Sequence, residues 1–132
     1  MEDPRASPGP ARVLVAEDEP HIRRILVTLL EAAGYVPDAV EDGLDAIARL
    51  RGPTEYAAVV LDLFMPGASG LEVLEEVQGM AHRDGTPVLI LTAKGQDADR
   101  DRAFELGAAG FTTKPFSPKK LLGQIDDLLS DS

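Results

Sequence analysis

A carboxylate pair, Glu17-Asp18, follows the apolar run Val13-Leu14-Val15-Ala16. A second acid, Asp62, follows Val59-Val60-Leu61. A hydroxyl, Thr92, follows Val88-Leu89-Ile90-Leu91, and an ammonium, Lys114, follows Phe111-Thr112-Thr113. Together these are the groups that a metal-assisted phosphoryl transfer onto a carboxylate needs. Paired acids can hold a hard cation such as magnesium through oxygen ligands. A further carboxylate can attack phosphorus and become an acyl phosphate. A hydroxyl and an ammonium can take up the phosphoryl oxygens.

Each group also has a plainer reading. Glu17, Asp18 and Glu19 are suited to the N-terminal end of a helix. Asp62 could close a strand and cap its loop, and Thr92 could do the same. Lys114 could be an ordinary exposed lysine, and Phe111 a core residue. What argues against coincidence is placement, because each group stands at the end of a different apolar run. In an open parallel sheet, ligands bind outside the carboxyl ends of the strands, so such groups would meet at one edge.

The runs that would carry them alternate with helical patterns. Arg12 to Ala16, Val36 to Val40, Ala57 to Leu61, Pro87 to Leu91 and Ala108 to Thr112 read as strands. The third and fourth have no polar face, as expected inside a parallel sheet covered on both sides. Between them lie helical spacings. Pro20 opens the first, which carries Ile22, Ile25, Leu26, Leu29 and Leu30 and stops at Gly34. Asp42 caps the second. Gly70 leads into the third, with Leu71, Leu74 and Val77. The fourth, Asp97 to Leu106, is polar and ends at Gly107. Ser117-Pro118 opens the last, with Leu121, Leu122, Ile125, Leu128 and Leu129. Five βα units in one chain of 132 residues predict a single α/β domain with a parallel sheet.

Bulk composition narrows the chemistry. With 23 acidic and 13 basic residues, the formal net charge is -10, which disfavours direct binding to nucleic acid or an anionic membrane. The absence of cysteine excludes disulfides, thiol catalysis and cysteine–zinc sites. The longest wholly apolar run, Ala57 to Leu61, is far too short to span a bilayer. Residues 1–11 are rich in Pro, Gly and charge and read as a disordered tail, leaving 12–132 as the domain. The expected location is cytoplasmic.

On these motifs the sequence resembles the receiver domain of two-component response regulators. The resemblance rests on Val13-Leu14-Val15-Ala16-Glu17-Asp18-Glu19-Pro20, Leu61-Asp62-Leu63-Phe64-Met65-Pro66-Gly67, Gly70-Leu71-Glu72-Val73-Leu74, Leu91-Thr92-Ala93 and Lys114-Pro115-Phe116. It runs from about Arg12 to about Leu129. It implies a flavodoxin-like doubly wound (βα)5 sandwich with a five-stranded parallel sheet in the order 2-1-3-4-5. It also implies a phosphoacceptor switch rather than a metabolic enzyme, with Asp62 taking a phosphoryl group from a histidine kinase or phosphotransfer protein.

Further roles follow from the same resemblance. Asp18, Asp62 and the backbone carbonyl of Phe64 would ligate Mg2+, with Glu17 acting through water. Thr92, Lys114 and the backbone N–H of Ala93 would hold phosphoryl oxygens. Thr92 and Phe111 would move together in the switch, and the Lys114-Pro115 peptide would be cis. Phe64 and Lys94 would set how fast water reaches the phosphate.

The chain also departs from a common pattern of the family. Gly107-Ala108-Ala109-Gly110-Phe111 lacks the two acids that many members with winged-helix effectors carry there, and Gln124 stands where they often have Arg. The face made by the fourth helix, fifth strand and fifth helix is thus a candidate for either a homodimer or another effector. Two rivals stand beside this reading. A phosphatase of the haloacid dehalogenase type would need a second acid at position 64, where this chain has Phe64. A receiver-like module that works without phosphate would not need the full set of groups.

Overall fold

A computed structural model describes residues 10–93, 97–114 and 117–130. The expectations for the tail up to residue 9, for Lys94 and for the Lys114-Pro115 peptide lie outside the described residues. The elements run β1 (Arg12–Ala16), α1 (Pro20–Ala32), β2 (Val36–Val40), α2 (Gly43–Arg51), β3 (Ala58–Asp62), α3 (Gly70–Gln78), a 3-10 turn (Ala81–Arg83), β4 (Val88–Thr92), α4 (Asp97–Glu105), β5 (Gly110–Thr113) and α5 (Pro118–Ser130). The strands form one parallel sheet in the order β2-β1-β3-β4-β5. This is the topology expected from the sequence, and its strand order reverses between β1 and β3. A ligand crevice opens at such a reversal.

Side-chain alternation divides the core in two. Val13, Val15, Ala58, Val60, Leu89 and Leu91 face one side, against Leu26 and Leu30 of α1 and Leu121 and Ile125 of α5. Leu14, Ala16, Val59, Leu61, Val88 and Ile90 face the other, against Ala46, Ile47 and Leu50 of α2 and Val73, Leu74 and Val77 of α3. A one-residue slip of β3 would exchange these sets, so burial on both faces fixes the register.

The strand ends differ slightly from the sequence reading. Asp62 is the last residue of β3 and Thr92 the last of β4. Both strands are displaced one residue towards the chemistry. β5 starts at Gly110, two residues later than expected. Gly107 takes a positive φ of 97°, and the Ala108 N–H closes back onto the Ala103 carbonyl at 2.9 Å. Ala108 therefore belongs to the end of the α4 unit, and the ladder begins only after it.

Local interactions set the helix ends. The Asp42 carboxylate accepts from Asp45 N at 2.8 Å. Ser69 and Glu72 exchange two bonds of 3.1 Å in a capping box. The carbonyls at the end of α2 are met by Arg83, a buried arginine that sequence reasoning did not single out. Its guanidinium donates to Leu50 O at 2.8 Å and Gly52 O at 3.0 Å, and stacks 5.2 Å over the Tyr56 ring. A lone arginine in a polar loop carries no sequence signal for such a role.

Two glycines let α2 and α3 pack against the loop that follows β3. A Cβ on Gly43 would come within 2.0 Å of the Ala68 carbonyl oxygen, and one on Gly70 within 2.6 Å of the Asp62 carbonyl oxygen. Gly123, inside α5, has open space around its Cβ position. Gly43→Ala is expected to lower unfolding free energy by about 1–3 kcal/mol, the cost of overpacking a rigid backbone contact. Gly123→Ala is expected to raise it by about 0.5–1 kcal/mol through helix propensity. Urea unfolding of the two variants checks both signs.

Candidate functional site

The register brings the acids together. Ala16 pairs with Leu61 across β1 and β3, so the next residues, Glu17 and Asp62, are neighbours at the carboxyl edge. The ladder continues beyond the strands. Glu17 N donates to Val40 O at 3.1 Å, Leu63 N to Leu91 O at 2.7 Å, and Lys114 N to Thr92 O at 2.7 Å. Backbone pairing thus holds the residues on which the charges sit, leaving little freedom for repulsion to spread them.

One carboxylate oxygen from each of Glu17, Asp18 and Asp62 lies within 4.8 Å of the others. Glu17 and Asp62 are buried, whereas Asp18 is exposed at the mouth. Lys114 reaches in from the end of β5. Its Nζ lies 2.5 Å from Glu17 Oε1 and 3.3 Å from Asp62 Oδ2. Thr92 is fully buried at the end of β4, and Ala93 follows it at the surface. The Phe64 side chain is 55% exposed in the loop after β3.

Glu19 departs from its two neighbours. Its carboxylate accepts from His21 N at 3.0 Å and Ile22 N at 2.9 Å, capping α1 ahead of Pro20. Those bonds to backbone N–H groups lower its pKa. The acidic triplet is therefore split. Its third member takes the capping role, while the first two join Asp62.

The electrostatics suit a cation. Burial, and then the neighbouring Asp62, push the Glu17 carboxyl from its ordinary 4.5 up to about 7, against the opposing pull of Lys114. The Lys114 ammonium is itself raised: burial, which would lower it, is outweighed by the Glu17 bond and the Asp62 charge. Two buried carboxylates on one ammonium leave net negative charge. Among the described residues, Glu17 Oε2 is the one buried side-chain polar atom without a hydrogen-bond partner. An all-oxygen donor set with an unpartnered buried oxygen fits Mg2+, which takes carboxylate and water ligands.

Phe111 is the second residue of β5, paired with Ile90, and lies half-buried against the α2–α3 side of the core. It is thus three residues from Lys114 but not at the strand end. Beside it, Thr112 Oγ1 donates to Gln124 Oε1 at 2.8 Å, tying β5 to α5. At Gly110, a Cβ would come within 2.7 Å of Leu89 Cδ1. The missing acid at position 110 thus coincides with a tight contact to the core. Among the described residues, no helix is long and apolar enough to cross a membrane.

Comparison with known proteins agrees with this geometry. A family model described as the response regulator receiver domain matches residues 13–126. The chain is 39% identical over 118 residues to the transcriptional regulatory protein ResD of Bacillus subtilis, covering 89% of this chain and 48% of ResD. It is 39% identical over 114 residues to the phosphate regulon transcriptional regulatory protein PhoB of Escherichia coli, covering 86% of this chain and 49% of PhoB. The chain thus spans about half the length of these curated relatives. Among solved structures, the chemotaxis protein CheY4 of Vibrio cholerae superposes with a TM-score of 0.85 at 28% identity, covering 91% of this chain and 99% of that one. A parallel sheet ordered 2-1-3-4-5, three acids at its reversal point and a family match across nearly the whole domain agree: the chain belongs to the receiver domains of two-component response regulators.

Proposed function

We propose that Asp62 is the phosphoacceptor and that the acids around it hold Mg2+. The observation that carries this is the position of Asp62. It is buried at the end of β3, within 4.8 Å of two further carboxylates and 3.3 Å from an ammonium. An Asp62 oxygen attacks phosphorus, the bond from phosphorus to the donor's imidazole nitrogen breaks, and the imidazole leaves. With an acyl phosphate donor, the P–O bond breaks and the carboxylate leaves.

Asp18, Asp62 and the Phe64 carbonyl would hold the ion, and Glu17 would hold it through water. Bound there, Mg2+ supplies charge neutralisation and orientation for in-line transfer. Lys114 supplies a second positive charge to a phosphoryl oxygen, which requires it to loosen its contact with Glu17. The Thr92 hydroxyl and the Ala93 N–H would donate to the remaining oxygens. Phe111 would follow Thr92 and repack, changing the surface of α4, β5 and α5. That face would meet the effector or a second copy, while a histidine kinase or phosphotransfer protein supplies the phosphoryl group. The matched relatives are named transcriptional regulatory proteins, and this chain would act as the phosphorylation-controlled part of such a regulator. A net charge of -10 disfavours direct contact between this domain and nucleic acid.

Incubation with acetyl phosphate and Mg2+ is expected to add one phosphoryl group by intact mass. The adduct should vanish in Asp62→Asn and on chelation of the metal. An undiminished adduct in Asp62→Asn would remove Asp62 from the mechanism.

The Glu17 shift sets a pH dependence. Its folded-state pKa lies above the unfolded value, so the ionised form destabilises the metal-free fold. Stability is therefore lost as pH rises from the ordinary 4.5 through about 7. Mg2+ binds the ionised form and reverses this loss. The rise in melting temperature on adding Mg2+ should accordingly grow between about pH 5.5 and about pH 8. Glu17→Gln should flatten that profile and stabilise the metal-free protein at the upper end. A Mg2+ effect constant over this range in the wild type would contradict the assignment.

Phe64 lies two residues after the acceptor, in the loop that follows β3, and is 55% exposed. Covering the phosphoryl group would slow the approach of water. Phe64→Ala is expected to shorten the phosphoaspartate half-life severalfold, read by loss of the mass adduct after donor removal. An unchanged half-life would take Phe64 out of this role.

A further inference from the structure

Resting on the metal reading above, we infer that Arg23 is a positioning residue for the cation site, bracing the backbone from which Glu17 and Asp18, the two carboxylates that follow β1, project. Arg23 stands on the first turns of α1 with its side chain 20% exposed. Its Nη1 donates to the Glu17 carbonyl at 2.9 Å and lies 3.4 Å from the Asp18 carbonyl. Its Nη2 reaches Glu41 Oε1 at 3.3 Å, just after β2. One planar group thus joins the β1–α1 loop, helix α1 and the β2–α2 loop.

The two carbonyls belong to successive peptide units. Holding both fixes the torsions that aim the Cα–Cβ bonds of Glu17 and Asp18. Neither carbonyl is an acceptor within α1, whose first internal bond runs from Arg23 N to Glu19 O at 2.9 Å. Glu17 is also tied at its amide by Val40 O, so the guanidinium provides the opposite anchor. A rigid fork with several donors can serve two carbonyls and a carboxylate at once, which a lysine ammonium on a flexible stem does poorly. The Glu41 pair is exposed on the carboxylate side, so its own energy is small, and its use is to hold the fork in orientation.

The charge of Arg23 gives the test its sign. A positive group beside a cation site opposes the ion, so Coulomb's law alone predicts tighter Mg2+ binding when Arg23 is removed. Positioning predicts the reverse. Groups that orient metal ligands typically cost tenfold or more in affinity when lost.

The experiment is calorimetric titration of unphosphorylated protein with Mg2+, with melting temperature in EDTA measured alongside. Arg23→Ala is expected to bind Mg2+ about tenfold more weakly. Arg23→Lys, which keeps the charge and the aliphatic stem but not the fork, should also bind more weakly than wild type. Arg24→Ala removes the same charge from the neighbouring exposed position and should leave affinity unchanged or slightly tighter. Phosphorylation by acetyl phosphate in Arg23→Ala should recover towards the wild-type rate as Mg2+ is raised, which a general loss of structure would not allow. Wild-type or tighter affinity in Arg23→Ala overturns the brace, as does wild-type affinity in Arg23→Lys. The lysine variant decides the matter if the alanine variant fails to fold. A wild-type protein that binds no Mg2+ overturns the metal reading itself, and the brace with it.

Discussion

Two buried carboxylates, Glu17 and Asp62, share the single ammonium of Lys114, and most of what is specific about this structure follows from keeping them together. Taking a carboxylate out of water costs several kcal/mol unless its charge is matched. Left to side-chain freedom, the two acids would separate or protonate. Instead, each sits where the parallel ladder has already fixed the backbone. The pairing of Ala16 with Leu61 forces the next two residues side by side, and the N–H groups of Glu17 and Lys114 extend the ladder past the strand ends. Hydrophobic burial on both sheet faces sets that register, so the apolar core indirectly holds the charges in place.

The same constraint explains the backbone of the loops. Residues after β3 must turn away sharply so that Asp62 can face the crevice, and Gly70 lets the start of α3 come against the Asp62 carbonyl. Gly43 brings α2 against Ala68 in that same loop. The loop behind the acceptor is thus clamped by two helix N-termini, with Gly43 N donating to Pro66 O at 3.1 Å and Gly70 N to Leu63 O at 2.8 Å. A site in which small displacements matter sits on packed backbone rather than on free side chains.

The strands could be read from the sequence because a doubly covered parallel sheet writes itself as uninterrupted apolar runs, whereas their order followed only from the family resemblance. Asp62 and Thr92 could be read because each directly follows such a run, and Lys114 because it follows the short strand pattern that ends in Thr112-Thr113. Other features left no such trace. Glu19 has the same character as Glu17, and only the helix geometry shows that it is used as a cap. Arg83 is one of several arginines in polar surroundings, yet it is buried against the end of α2. Arg23 looks like any solvated helix residue, because its partners are main-chain carbonyls whose location depends on tertiary folding. The start of β5 was misplaced for a related reason: Ala108 is apolar and β-compatible, but the positive φ at Gly107 commits it to closing α4.

The uneven anchoring of the helices bears on how a charge added at one edge could be felt elsewhere. Helices α1, α2, α3 and α5 each bury at least two apolar side chains. Among the described residues of α4, only Ala103 is buried, while Phe104 is 43% exposed beneath the guanidinium of Arg100. Burial is worth roughly 25 cal/mol per Å² of apolar surface, so shifting α4 forfeits far less than shifting any of its neighbours. Helix α4 also lies between Thr92, at the end of β4, and β5, which carries Phe111. New bonds drawn to Thr92 would thus pull first on the segment that resists least. The two-sided core that fixes the acids reaches the described part of α4 only through Ala103, so this face would be able to change at less cost than the site itself.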